Sequence, residues 1–458
     1  MKKINLQIVS IFTLLIVLST FNYSFAQWTI AGAVSGVGTF PSISVVDQNN
    51  VWVAGGLNTP AVFRTTNAGA NWLTVPTTGL PLDLFCVWAI DANTAYVGNG
   101  GAAGGAGGNA SFYKTTNAGT TWTVVGSTGG SAGFFNSVVF SRITPSFGIA
   151  QSDPAAGTGQ AYYVSITTNG GTSWAPLAPP PPGVAGQASS QNGAIVIDNQ
   201  FYGFGLGNTA PPRAYMTSNG GTSWYVSNMS AIGNASGFVS GLAFKENKLI
   251  GIGASSASLP SIGRTTDGGL TWTSVNVGAG FTGYCNCKWI EGTNTCYISA
   301  NAGASGVVKK STDGGLTWTT MTTSGLTGIT HMDFKRVGTT VYGFAATANG
   351  AILKITDIVT DINTVNSLVP SEFRLEQNYP NPFNPSTTIN FSIPKSSVVT
   401  LKVYDALGKE VETLVNEFKP AGNYSADFTA SSKLTSGVYF YTLSSENFVS
   451  TKKLMLVK

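Results

Sequence analysis

Carboxylates, one histidine and five arginines are the side chains through which the first 357 residues could do chemistry. Two carboxylates flanking a glycosidic bond can serve as acid and base or nucleophile, so the acidic positions bear on activity most directly. Asp47, Asp91, Asp198, Glu246 and Glu291 recur at one point of a repeated hairpin turn, and Asp267 and Asp313 at one point of a second repeated segment. That leaves Asp83, Asp153, Asp333 and Asp357, of which the first three are the weak catalytic candidates. Asp83 precedes an apolar strand, Asp153 lies in the insertion QSDPAAGTG, and Asp333 stands beside His331, the only histidine. No Ser or Cys nucleophile motif accompanies His331, which therefore reads as a packed or channel-lining residue.

Other chemistries find less support. Cys86, Cys285, Cys287 and Cys296 lack paired C-x-x-C spacing and histidine partners, so no metal site is expected. In an oxidising compartment Cys296 can pair with Cys285 or Cys287 across a hairpin, and the alternative is that none pairs. The run GNGGAAGGAGGN at 98–109 has no GK[ST] ending and reads as an inter-strand loop. Pro179 to Pro182 read as a stiff loop. No nucleotide, haem or flavin motif is present, so no cofactor is expected. A formal charge of +4 with no basic stripe makes nucleic acid and anionic membrane poor partners.

The elements that must position these residues are strands. Gly is abundant (56 residues), and short Val, Ile, Phe and Tyr runs alternate with polar turns, a pattern of hairpins whose turns need φ > 0. Lys2, Lys3, an apolar stretch from Ile8 to Leu18 and Ser24-Phe25-Ala26 form a signal peptide, 1–26, cut after Ala26. No later segment is long enough to span a bilayer as a helix. Six segments align without gaps and end at Trp72, Trp122, Trp174, Trp224, Trp272 and Trp318, spaced 50, 52, 50, 48 and 46 residues apart. A period near 50 is that of a four-stranded propeller blade. A strand–turn–strand unit precedes each segment, and a seventh copy, MDFKRVGTTVYGFA, has no Trp segment after it. The mature N-terminus, Gln27-Trp28-Thr29-Ile30, reads like the strand that follows each repeat Trp. The expectation is an all-β chain with a seven-bladed β-propeller at 27–357, its last blade closed by residues 27–31.

The repeated segments resemble the Asp-box, or bacterial neuraminidase repeat, S/T-x-D-x-G-x-x-W. Thr265, Asp267, Gly269 and Trp272 match fully, as do Ser311, Asp313, Gly315 and Trp318, while Asn67, Asn117, Asn169 and Asn219 replace the Asp elsewhere. The resemblance implies a structural role: the Asp or Asn accepts amides of its own turn, Gly supplies φ > 0 and Trp packs. Such boxes occur in sialidases, sortilin-type receptors, xyloglucanase-type hydrolases and photosystem II assembly and stability factor-like propellers. The short single propeller is most similar to the last group. A sialidase's arginine cluster is missing, because Arg64 and Arg264 occupy one repeat position, shared with Lys114 and Lys310.

Composition changes after Asp357. All ten Trp precede it, a polar linker follows at 358–371, and residues 372–458 alternate strands with Gly, Asn and Pro turns as an Ig-like β-sandwich does. NYPNPFNPSTTI, the segment 404–409, SGVYFYTL and KKLMLVK closely resemble the type A C-terminal sorting domain of the type IX secretion system. That resemblance implies a Gram-negative, Bacteroidetes-like host, partnership with the secretion machinery, and release or attachment at the cell surface.

The functional expectation is a secreted, monomeric, non-catalytic propeller that binds an extracellular protein or glycan, the alternative being a glycoside hydrolase or lyase with paired carboxylates. Binding was expected on the face opposite the boxes, where the repeat is broken. Phe134, Phe135, Asp153, Arg213, Phe238, Phe281, Tyr284 and His331 are its candidates.

Overall fold

The computed structural model describes residues 26–457, apart from 82, 102–108, 130–132, 155–159, 184–186, 208, 233–236, 256–260, 279–280, 282–284, 303–304, 322–327, 360–371, 395–396, 420–421, 432–433 and 446–447. It divides into two units, Met1–Thr360 and Asp361–Lys458. Residues 1–25 of the expected signal peptide, most of the expected linker and Tyr284 lie outside the described residues. No helix among the described residues is long and apolar enough to cross a membrane.

The first unit is a seven-bladed β-propeller of seven four-stranded antiparallel sheets. The inner strands are Ser42–Val45, Leu84–Ala89, Phe135–Phe140, Ala188–Val196, Val239–Phe244, Cys285–Trp289 and Ile329–Val337, one for each of blades 1 to 7. The second strands of blades 1 to 5, such as Val51–Gly55, are buried along their whole length, which is why these runs lack a polar–apolar alternation. Blade 7 takes its outer strand from the N-terminus: Thr29–Ala33 pairs with Ala351–Ile358, Thr29 opposite Lys354. The closing strand thus starts two residues later than position 27. Ile358 and Val359, expected in the linker, still belong to blade 7, where Val359 N donates to Thr339 O at 2.9 Å.

The repeated turns explain the period. In the first, Thr65 Oγ1 donates to Asn67 Oδ1 at 2.9 Å and accepts from Gly69 N at 3.0 Å, and Asn67 Oδ1 accepts from Asn71 N at 2.9 Å. The same three bonds recur at the other five boxes, whether Asn or Asp stands in the centre. Gly69 and its counterparts hold φ between 78° and 86°, where a side chain is strained. A further amide of each box donates to the first hairpin turn of its blade, as Ala68 N does to Asn49 O at 3.1 Å and Gly268 N to Leu249 O at 3.0 Å. Boxes and first turns therefore share one face. The indoles are mortar between blades: Trp72 Nε1 donates to Ala31 O at 2.7 Å, Trp122 Nε1 to Pro76 O at 3.1 Å, and Trp174 packs on Phe112 of blade 2 at 5.0 Å.

Arg64, Lys114 and Arg264 sit at one repeat position, and two of them reach the next blade's box, Lys114 Nζ to Gly171 O at 3.0 Å and Arg264 Nε to Gly314 O at 2.7 Å. Asp357 is likewise structural, accepting from Tyr297 Oη at 2.5 Å and Lys310 Nζ at 2.7 Å. All four cysteines are buried and none is in a disulfide, so the hairpin pairing is not formed. Register accounts for this, since Cys287 faces Ile298 and Cys296 faces Trp289.

The second unit is a β-sandwich. One sheet orders Arg374–Leu375, Ser386–Ile393 and Gly422–Thr429; the other orders Glu410–Lys419, Ser397–Tyr404, Gly437–Ser445 and Phe448–Leu456. Alternation places Ile389, Phe391 and Ile393 of one sheet and Val399, Leu401 and Val403 of the other in a single apolar core.

Candidate functional site

Each inner strand is the first of its sheet, so the backbone groups on its free edge need partners from elsewhere. Neighbouring blades supply them. Ser42 Oγ accepts from Val87 N at 3.1 Å and Ser44 Oγ from Ala89 N at 2.9 Å, linking blade 1 to blade 2. Blade 7 does the same for blade 1 through larger groups: His331 Nδ1 accepts from Ile43 N at 3.0 Å and Asp333 Oδ2 from Val45 N at 2.8 Å. Register equates these positions, since Ser42 faces Ala54 and His331 faces Ala346, while Ser44 faces Trp52 and Asp333 faces Phe344. His331 is thus neutral with its proton on Nε2, and burial, with the charge of Lys288 adding to it, lowers its pKa to about 3.

Asp333 anchors a charged cluster. Arg142, from the first turn of blade 3, crosses the ring to place Nη2 at 2.9 and 2.7 Å from the two Asp333 oxygens. Its Nε lies 3.3 Å from Glu291 Oε1, and its guanidinium lies 5.1 Å from the Trp88 ring centre. Lys288 Nζ is 3.9 Å from Asp333 Oδ1. Burial alone would raise the Asp333 carboxyl, but Arg142 and then Lys288 hold it below the usual range. Burial brings the Lys288 ammonium below its ordinary value, with Arg142 working against the pull of Asp333. Glu246 accepts from Gly292 N and is shifted upward by burial, with Glu291 adding to the shift.

These groups line a cavity of about 80 Å³ together with Trp88, Ile143, Asn192 and Ala194. That is room for a few waters, whereas drug-sized ligands occupy pockets of about 300 Å³ or more. Its floor comes from blade 4. Between Ser189 and Ala194 the inner strand leaves register, and the extra residues span the axis: Gln191 Nε2 donates to Phe40 O at 3.0 Å and Phe85 O at 2.6 Å, and Asn192 Oδ1 accepts from Ser42 Oγ at 3.0 Å. Arg142, Glu246 and Glu291 lie in first turns, so the cavity opens on the box face. Ile90, Ile143 and Leu249, 40%, 48% and 53% exposed, stand in the same set of turns.

The three candidate carboxylates hold different partners. Asp83 is fully buried and accepts from Asn58 N at 2.6 Å. Asp153 accepts from Asn136 Nδ2 at 2.8 Å and Ser189 N at 2.7 Å, and its carboxyl is raised by burial against these bonds. Neither shares a partner with Asp333 in these bonds. On the face opposite the boxes, Phe135 and Phe281 are core residues at 0% and 5% exposure and offer no ring to solvent. Phe134 packs edge-on against Phe85 at 5.7 Å, and Arg213 begins the strand Arg213–Thr217 opposite Asn228. Phe238 is 36% exposed. Tyr162 N donates to Pro181 O at 3.0 Å, tying the proline run to blade 3. Among the described residues no group of three His, Cys, Asp or Glu could hold a metal ion.

Sequence reasoning passed over Arg142, Lys288, Glu246 and Glu291. The available signal was Lys288 itself, a charge at the inner-strand position where blades 1 and 2 carry Ser44 and Trp88.

A family model described as a secretion system C-terminal sorting domain matches residues 377–458. This tail is a sorting domain. The protein is therefore built for secretion, with a β-propeller as the cargo. Among solved structures, YCF48 bound to a D1 peptide is 15% identical with a TM-score of 0.49, covering 74% of this chain and 96% of that one. YCF48 from Cyanidioschyzon merolae is 16% identical with a TM-score of 0.48 over 72% and 99% of the two chains. An ancestral GH74 enzyme is 12% identical with a TM-score of 0.53 over 94% and 63%. At such identities the likeness is one of fold. No curated protein matches the chain.

Proposed function

We propose that the protein is an extracellular binding module, exported by a type IX route to the cell surface or medium, which engages a protein or glycan through the box-face mouth of its ring. The observation that carries this reading is the structural engagement of the sequence-derived carboxylates: Asp83, Asp153 and Asp333 each hold a backbone amide in place. A carboxylate that fixes the fold in this way is not held toward a substrate proton as a general acid or base must be. The mouth instead offers aliphatic side chains around a cavity with charged walls, a surface suited to contact without turnover. Processing at Ala26 and the Asp-box reading of the six turns are parts of the same proposal.

One observation favours the glycosidase alternative. Glu246 has the raised carboxyl of a general acid and lies beside Glu291 in the cavity wall. A glycan array and a polysaccharide-hydrolysis screen of the mature chain separate the two. Binding lost on Ile143→Asp, with no product released, supports the module. Release of reducing ends that Glu246→Gln abolishes establishes the enzyme.

A further inference from the structure

The last strand of the sandwich, Phe448–Leu456, pairs on one side with Gly437–Ser445. Its other edge is of the kind that invites unwanted strand addition. Segment 377–385 covers the C-terminal half of it. Phe383 N donates to Met455 O at 2.9 Å, and Val457 N donates to Phe383 O at 3.0 Å. Gln377 Nε2 donates to Lys453 O at 2.7 Å, Asn381 Nδ2 donates to the same oxygen at 3.3 Å, and Met455 N donates to Asn381 Oδ1 at 2.9 Å. Pro380, Pro382 and Pro385 have no N–H to offer, so this clasp cannot propagate as a strand.

The sorting-domain match begins at Gln377 and runs to Lys458. Its two ends, distant in sequence, are the two halves of one clasp. Tyr379 lies within it, backbone pinned by reciprocal bonds of 3.0 Å with Thr388, yet its side chain is 83% exposed. A rigidly held, unpacked tyrosine is the side chain that contributes most at protein interfaces for the least ordering cost. Apolar surface continues from the clasp: Met455 is 37% exposed opposite Val438 at 36%, and Phe440, 36% exposed, follows on the same face opposite the exposed Lys453.

We propose that the folded clasp is the surface on which a protein of the export machinery docks, with the Tyr379 ring as its anchor. The inference rests on the type IX reading of the tail. The partner that fits is a folded protein with a cleft for one aromatic ring and acidic groups placed to meet Lys453. An unfolded-peptide receptor would have no use for side chains that converge only when residues 377–385 and 453–457 have folded together.

The test uses the full chain in its native host, with Tyr379→Ala, Tyr379→Phe, a Leu407→Ala control at an equally open site (95% exposed), and a deletion of residues 372–458. Tyr379→Ala lowers the ratio of exported to periplasmic protein on the order of tenfold or more. Tyr379→Phe restores most of it, and Leu407→Ala behaves as wild type. The retained Tyr379→Ala chain keeps a protease-resistant tail. Wild-type export of Tyr379→Ala overturns the proposal, as does a retained chain whose tail is degraded, which would make Tyr379 a folding residue. Export of the deletion variant overturns the type IX reading instead.

Discussion

Trp28 packs edge-on against Phe334, ring centres 5.9 Å apart, at the register where blades 1 to 6 carry their box tryptophans. Thr29 pairs with Lys354 as Leu73 pairs with Arg64 and Thr273 with Arg264, so the residue before each is the same residue of the repeat. The seventh tryptophan is not missing; the ring joins its two chain ends there. With Trp28 at 1% exposure, Trp28→Ala should cost about 3–5 kcal/mol and lower the propeller's Tm by roughly 10 °C. A calorimetric shift below about 2 °C would contradict the closure role.

His331 makes stability depend on pH. Its folded pKa of about 3 lies below the ordinary 6.5, so the unfolded chain takes up a proton that the folded chain refuses. The stabilisation is complete above pH 6.5 and is lost progressively as pH falls toward 3. Asp333, also depressed, adds acid lability below its ordinary 3.8, whereas Asp153 and Glu246, raised by burial, favour the fold at low pH. Because the chain has one histidine, His331→Gln should flatten a decline of up to about 1.4 kcal/mol per pH unit between pH 6 and 4.5. Denaturant melts across that range decide it.

The boxes should tolerate exchange of Asn and Asp and resist loss of the Thr hydroxyl. Asp267→Asn keeps the acceptor for Thr271 N and is expected to change stability by less than about 0.5 kcal/mol. Thr265→Val removes the acceptor of Gly269 N and should cost about 1–2 kcal/mol by urea titration.

Burial pushes the Cys86 and Cys287 thiols up to about 12, and raises Cys285 and Cys296 further still. Native protein should resist a thiol-specific alkylating reagent at pH 8, and unfolded protein should take up four equivalents. Fewer equivalents after unfolding without reductant would reveal a disulfide.

The architecture was legible because turns constrain residue types. A Gly two residues after an Asn or Asp, itself two residues after a Thr or Ser, can be read without coordinates and is found at φ near 80°, and the N-terminal Trp-Thr-Ile reads like the strand after each repeat Trp. The site was far less legible. Arg142 and Asp333 are 191 positions apart, and nothing in either local sequence shows that a first-turn arginine of blade 3 crosses to blade 7. His331 and Asp333 were noticed as chemistry, yet they do the work of Ser42 and Ser44 on a neighbouring strand edge. Two of the aromatic candidates, Phe135 and Phe281, are core residues for a related reason: a ring near a blade link is capped or bare according to its neighbour, and Phe135 has Phe112 at 4.9 Å.

The blade 4 residues that span the ring also set what kind of guest the molecule can host. With Gln191 bonded to blades 1 and 2 and Asn192 to blade 1, the axis is a dead end, so a linear polymer cannot be threaded through it or processed along it. Any guest at this mouth arrives by an end or a side group and leaves by the way it came, and its residence time is governed by a single opening.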